Sequence, residues 1–313
     1  MKNKMINELK IQGRVQQHKL EKKVSAKGAN YIRGTITIAT DDNMVNLIPY
    51  KVIYAGEKTA KGETSPTYRV LSDLIEKDNT ILKVGKDQAA MIKVDTSVAL
   101  NDWYSKDQQT GEYKLISTQE ASGGFVNSIA KLDADEGARC KFMCDIVINN
   151  IVHIEEDEDA GVAEKVTVNG VIFNYKKEAK PVNFIVTNPM GIKYFSNLDD
   201  VTPNTPMFTK VWGKFDNVVT VTKTTEESGF GEPVVTERRS EKKEWVITGI
   251  IKEALEFDAE ETILASEYKK CAADRNIFLS ELLAGQIQRD EDKAKNNASQ
   301  ASTETVATGG FDF

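Results

Sequence analysis

The sequence predicts a mainly β protein with a few helices: two tandem five-stranded Greek-key barrels, a C-terminal helix and a disordered tail. Three observations carry that expectation. Apolar and polar residues alternate with a period of two, in runs rich in Val, Ile and Thr, through most of the first 250 residues. Clusters of Asp, Asn, Gly and Pro separate these runs as turns. The 3.6-residue period of a helix surfaces in only two places, near residue 70 and beyond residue 258.

The elements follow in order. Residues 6–23 read as a long strand interrupted by Gly13, which marks a bulge or bend. Residues 31–40 set Ile32, Gly34, Ile36 and Ile38 against Arg33, Thr35 and Thr37, and residues 43–56 form a third strand. "SPTYRVLSDLIEKDN" then changes period: Ser65 caps, Pro66 opens the helix, and Val70, Leu71, Leu74 and Ile75 make one apolar stripe. Residues 89–105 and 112–118 return to strand. Three strands, a helix and two strands is the order of the OB-fold, a Greek-key barrel that binds oligonucleotides or oligosaccharides on one face. Closing such a barrel requires bends, for which Gly13 and Gly34 are the candidates.

Five more strand-like runs follow, at 140–156, 164–176, 181–189, 207–224 and 242–250. The segment "IQGRVQQHKLEKK" in the first half resembles "VNGVIFNYKKEAK" in the other, which supports a tandem of related barrels. Residues 258–287 are helical, with Asp258 as N-cap, Ile263, Leu264, Tyr268 and Cys271 on the apolar side, and Asn276 as a candidate break. The domains expected are therefore a barrel at 1–130, another at 131–257, a helical segment at 258–289, and a linker and tip at 290–313. That last stretch is too polar to offset its ordering entropy by burial.

Composition narrows the function. The net charge of −7 argues against a uniformly basic nucleic-acid binder, but leaves room for a local basic groove. No apolar run approaches the roughly 20 residues of a membrane helix, and the start has no apolar leader, so a cytoplasmic protein without membrane association is expected. Three cysteines suit a reducing compartment and read as buried small hydrophobes; with only His18 and His153 beside them they make a poor zinc set, so neither metal nor cofactor is expected. His153 has no evident partner. No phosphate-cradling glycine loop and no nucleophile elbow are present.

Positive signals point to binding. Single strands are held by cationic side chains on the phosphates and aromatic rings under the bases. Lys22, Lys23, Tyr31 and Arg33 interleave in this way at the first hairpin, with Lys19 nearby, and Tyr50, Lys51 and Tyr54 do so on the third strand. Trp103 follows near the fifth strand, and Tyr175, Lys176 and Lys177 in the C-terminal half. In "KVWGKFDN", Lys210, Trp212 and Lys214 share one face, with Phe215 adjoining.

The tandem pattern, the block "YIRGTITIATDDNMVNLIPYKVIYA" and the strand "KVWGKFDN" resemble OB-fold single-stranded DNA-binding proteins of the kind bacteriophages encode. The tail resembles the flexible linker and acidic, phenylalanine-ended tip by which the bacterial proteins recruit replication and repair enzymes, although Asp312 is the only acid in "GGFDF". The resemblance implies sequence-tolerant coating and protection of single-stranded DNA in phage replication and recombination, within the host cytoplasm and without catalysis. It also implies recruitment of partner enzymes through Phe311, Asp312 and Phe313. Two barrels per chain suit a monomer or small homo-oligomer. The alternatives are a structural β-barrel protein of a virion or other assembly and, more remotely, a metal-dependent nuclease built on acids such as Asp157 and Asp159.

Overall fold

Strand β1 (Asn7–Val24) is the spine of the fold, because different parts of its length pair with three other strands. The computed structural model describes residues 5–157, 163–174, 176–226, 234–259 and 262–304. The C-terminal half of β1 pairs with β2 (Asn30–Ala39), which pairs in turn with β3 (Leu47–Gly56), all antiparallel. A helix, α1 (Pro66–Lys77), and a single turn, α2 (Ile81–Val84), precede β4 (Met91–Lys106) and β5 (Tyr113–Ser128). The N-terminal half of β1 takes β4, and the parallel pairs Tyr50↔Ala121 and Lys51↔Ser122 join β3 to β5. The circuit β1-β2-β3-β5-β4-β1 is thus closed, with the order of the OB-fold.

The C-terminal half repeats the circuit. Strands β6 (Cys140–Ile154), β7 (Lys165–Phe173) and β8 (Ala179–Val186), helix α3 (Pro189–Ser196), and strands β9 (Met207–Glu226) and β10 (Val234–Ile250) follow in sequence. They run β6-β7-β8-β10-β9-β6, with the parallel pair Ile185↔Val246 closing the barrel. The two similar segments of the sequence are not equivalent positions, however. "IQGRVQQHKLEKK" lies in β1, whereas "VNGVIFNYKKEAK" starts in β7, which is strand two of its barrel. What repeats is the topology.

Local chemistry explains the helices. The Ser65 hydroxyl accepts from the Tyr68 N–H, Pro66 fills the first turn, and Leu71 and Leu74 plug the barrel floor. Asn188 and Pro189 do the same for α3, with the Asn188 side chain accepting from the Gly191 N–H at 2.7 Å. Barrel 1 is filled by aliphatics such as Leu9, Ile11, Ile36 and Ile48, and barrel 2 by aromatics. In barrel 2, Phe142 stacks on Phe184, and Phe215 lies parallel to Trp245 at 3.9 Å between centroids. Cys140 and Cys144 belong to these cores, and burial pushes the Cys140 thiol up to about 12.

The barrels are joined through backbone. Asn7–Ile11 of β1 pairs with Cys140–Cys144 of β6, so one ten-stranded sheet runs through both. The buried Arg139 between them donates to the Thr40 and Asp133 carbonyls and to Asp42.

The outer β4–β5 hairpin (Asn101–Thr118) and α4 (Ala265–Glu304) form a separate unit. Within it, Arg275 forks onto Asp102 at 3.0 and 3.1 Å, and the Tyr113 hydroxyl donates to Asp290. Helix α4 passes Asn276 unbroken. It also extends to Glu304, so residues 290–304, expected as a disordered linker, are helical, and residues 305–313 lie outside the described residues. The helix begins at Ala265 and not at 258, so Asp258 is not its N-cap and Ile263 and Leu264 precede it, although the Asp258 carboxylate accepts from the Ala265 N–H. Among the described residues, no helix is long and apolar enough to cross a membrane.

Candidate nucleic-acid interface

On barrel 1, a groove of about 470 Å³ crosses the outer surface of β1, β2 and β3. Its rows follow from the strand register: Lys19 opposes Thr35, which opposes Lys51, and in the next row Glu21 opposes Arg33. Because side chains alternate along a strand, the inward residues are the core set Leu20, Ile32, Ile36 and Val52, and the outward set is cationic. Gly34 makes the crossing possible. It has φ +139° at a register shift between β2 and β3, and a Cβ there would overlap the Lys19 carbonyl oxygen.

Cations outnumber carboxylates along the groove. Lys19, Lys23, Arg33 and Lys51 face two carboxylates, Glu21 and Glu120. Lys23 hydrogen-bonds Glu21 at 2.8 Å and, with a smaller contribution from Arg33, holds its carboxyl below the ordinary range. Lys51 reaches Glu120 at 3.4 Å. Beside this row, Tyr31 stacks on Tyr54 with centroids 4.7 Å apart and planes 23° apart, and Tyr54 is 56% exposed. Ile53 lines the groove and is 57% exposed. A cationic channel edged by an exposed ring is what a phosphate backbone with unstacked bases requires.

The other sequence candidates fall elsewhere. Tyr50 and Phe215 are corrections: both are core residues, at 2% and 1% exposure. The Tyr50 hydroxyl donates to the Gly123 carbonyl, and burial raises its pKa far above the ordinary value. Phe215 shares the inward parity of Val211 and stacks on Trp245. Lys22 has the opposite parity to Lys23 and pairs with Glu76 of α1 at 2.7 Å. Lys210 approaches the buried Asp145 at 3.8 Å, and Lys214 pairs with Asp216 at 2.6 Å.

Trp212 projects from β9 at 38% exposure, its indole laid against Gly249, where a Cβ would overlap the ring. Beside it, α3 and β10 enclose an apolar hollow of about 220 Å³ lined by Met190, Tyr194, Ile247 and Ile250. Lys176 and Lys177 are exposed in the β7–β8 turn, which Asn174 organises by accepting from the Lys176 and Glu178 N–H groups. Trp103 is partly exposed in the separate hairpin unit. Tyr175, Phe311, Asp312 and Phe313 lie outside the described residues. His153 has a partner after all, Glu164 at 2.9 Å.

Sequence reasoning missed Ile53, hidden in the apolar run "VIYA", and Phe125 of β5, which is 68% exposed. Gly123-Gly124 lies beyond the 112–118 run that reads as a strand, so the outward turn of Phe125 left no pattern to follow. Among the described residues, no group of three His, Cys, Asp or Glu side chains converges as a metal site.

The fold and groove define a tandem OB-fold protein with a basic, aromatic-edged face on its first barrel. Residues 5–280 match the family described as YorF, and the chain belongs to that family. Among solved structures, the chain is similar to the wild-type single-stranded DNA binding protein from Thermus aquaticus. That match has 9% identity and a TM-score of 0.46, covering 83% of this chain and 97% of that one. A deletion mutant of the same protein matches at 10% identity and TM-score 0.46, covering 82% and 98%. No curated protein matches the sequence.

Proposed function

We propose that this protein binds single-stranded DNA without strong sequence preference, along the β1–β2–β3 groove of barrel 1. The observation that carries the reading is the placement of Lys19, Arg33 and Lys51 in one channel beside the Tyr31–Tyr54 stack, on the face OB-folds use for oligomeric ligands. Cations there would track phosphates while exposed rings take bases. Stacking needs only a π-face and cations need only a phosphate, so neither contact selects a sequence.

The role follows from such binding: coating and protecting a single strand during replication or recombination, with no catalytic step assigned. The phage setting belongs to the same proposal, supported by the resemblance of "YIRGTITIATDDNMVNLIPYKVIYA" and "KVWGKFDN", as does recruitment of enzymes by Phe311, Asp312 and Phe313, supported by the two rings and one carboxylate of "GGFDF". Two barrels in one chain support a monomer or small homo-oligomer as the active form.

Fluorescence anisotropy with labelled dT, dA and mixed-sequence oligonucleotides and a matched duplex tests the reading. Comparable tight binding to all three single strands, and weak binding to duplex, is expected. Failure to bind any single strand at low salt overturns it and favours a structural role in an assembly.

A further inference from the structure

Strand β5 contains a parity break. Ala121, Ser122 and Val126 are all buried, so Ala121 and Val126 share the inner face although they are five residues apart, and in a regular strand only residues an even number apart share a face. Uninterrupted alternation from Ala121 would send Phe125 into the barrel and Val126 into solvent. Gly123 and Gly124 reverse this. Both adopt left-handed backbone, φ +71° and +83°, and Gly124 approaches β4 so closely that a Cβ would overlap the Asp95 carbonyl oxygen. Val126 then takes the core position, its N–H donating to the Thr67 hydroxyl of α1 at 3.1 Å, and Phe125 is turned outward.

Two features distinguish this bulge from a simple irregularity. Exposing a phenylalanine forgoes its burial, and two adjacent glycines are the costliest residues to order in a strand. Bulges that persist despite such costs commonly re-aim a side chain. The bulge also borders the groove. Lys51, which lines the groove, pairs with Ser122, and the Ile53 Cδ1 lies 4.0 Å from where a Gly123 Cβ would be. Exposed Ile53 and Tyr54 therefore run beside the strand that presents Phe125. Barrel 2 also has a glycine shortly past its closing pair, Gly249, three residues after Val246. The residue that follows there, Ile250, lines a hollow and is only half-exposed. The outward aromatic belongs to barrel 1, where the cationic groove is.

We propose that the Gly123–Gly124 bulge presents Phe125 as a further stacking platform, extending the barrel 1 site across β5 so that one more nucleobase of the bound strand rests on it. This rests on the proposed single-strand binding, and the test separates the two. Dissociation constants for a dT oligonucleotide are measured for the full chain, Phe125→Ala, Phe125→Trp and the double variant Arg33→Ala/Lys51→Ala. Phe125→Ala is expected to weaken binding about tenfold without changing the salt dependence, since the ring carries no charge. Phe125→Trp should restore affinity, with its new emission quenched by the oligonucleotide. Loss of affinity in the charge variant with Phe125→Ala binding as wild type overturns the platform and leaves the groove standing. A Phe125→Ala variant that binds normally but falls to a smaller oligomer likewise overturns it, assigning the ring to a contact between copies. No binding by the unaltered chain overturns the groove reading itself.

Discussion

Asn217 of barrel 2 is bonded to Asn46 of barrel 1: its backbone N–H donates to the Asn46 Oδ1 at 2.7 Å. Asn217 is 1% exposed, and both hydrogens of its side-chain amide are used, one on the Leu47 carbonyl and one on Glu241 at 2.7 Å. The residue thus ties the β2–β3 loop of the first barrel to the base of the β9–β10 ribbon. Asn217→Ala is expected to destabilise the protein by about 1–3 kcal/mol, the range for a buried acceptor left unpaired. Asn217→Asp should cost more at neutral pH, because it sets a carboxylate against Glu241 and a carbonyl. Its deficit should narrow in acid, where the new carboxyl regains a proton to donate. Urea unfolding at pH 7 and pH 4 measures both.

Asp145 offers a pH test. Burial raises its carboxyl above the ordinary value, while the Ile6 N–H at 2.7 Å and Lys210 at 3.8 Å pull the other way. The folded protein therefore holds this proton at pH values where the unfolded chain has released it. Stability from this group is fully present below the unfolded value and is lost as pH rises through the folded one. Asp145→Asn keeps an acceptor for Ile6 and removes the titration. Relative to wild type, its melting temperature should improve progressively as pH rises from about 4. A difference that is constant across that range contradicts the assignment.

The Arg275–Asp102 fork holds α4 to the outer β4–β5 hairpin. Both side chains are largely buried, and Asp102 also accepts from the Ser117 hydroxyl at 2.7 Å. Arg275→Leu leaves a buried carboxylate without its cation and should cost about 3–5 kcal/mol within that unit. The double change with Asp102→Leu should recover much of the loss. Hydrogen exchange along residues 266–295 reads the effect.

Tyr54→Ala should weaken single-strand affinity by about 1–3 kcal/mol, the range for one stacked base, whereas Tyr54→Phe should leave it near wild type. Equal losses in the two variants would mean that the hydroxyl, not the ring, makes the contact.

Much of this architecture could be read from sequence, because barrel strands leave a period-two trace and turns leave Asp, Asn and Gly. The first barrel's order and the cap at Ser65 were visible for that reason. Helix α3 was not, since its eight residues span barely two turns, although Asn188-Pro189 repeats the logic of Ser65-Pro66. Aromatic placement was legible where alternation was strict, as at Trp212, whose exposed indole flanks the inward Val211 and Gly213. It failed where a residue's face is decided by backbone irregularity. Phe125 is turned outward by two left-handed glycines, and no count of apolar positions reveals that. Location was invisible as well: Lys22 and Lys210 pass for groove cations until the fold sets Lys22 against Glu76 of α1 and Lys210 on β9 of the other barrel.

The most direct test of the groove is the salt dependence of single-strand binding in the wild type and in Arg33→Ala/Lys51→Ala. The logarithm of affinity for dT is expected to fall linearly with the logarithm of salt. The variant's slope should be shallower by about 0.7 for each phosphate contact removed. An unchanged slope in the variant, or equal affinity for single strand and duplex, would contradict the groove reading.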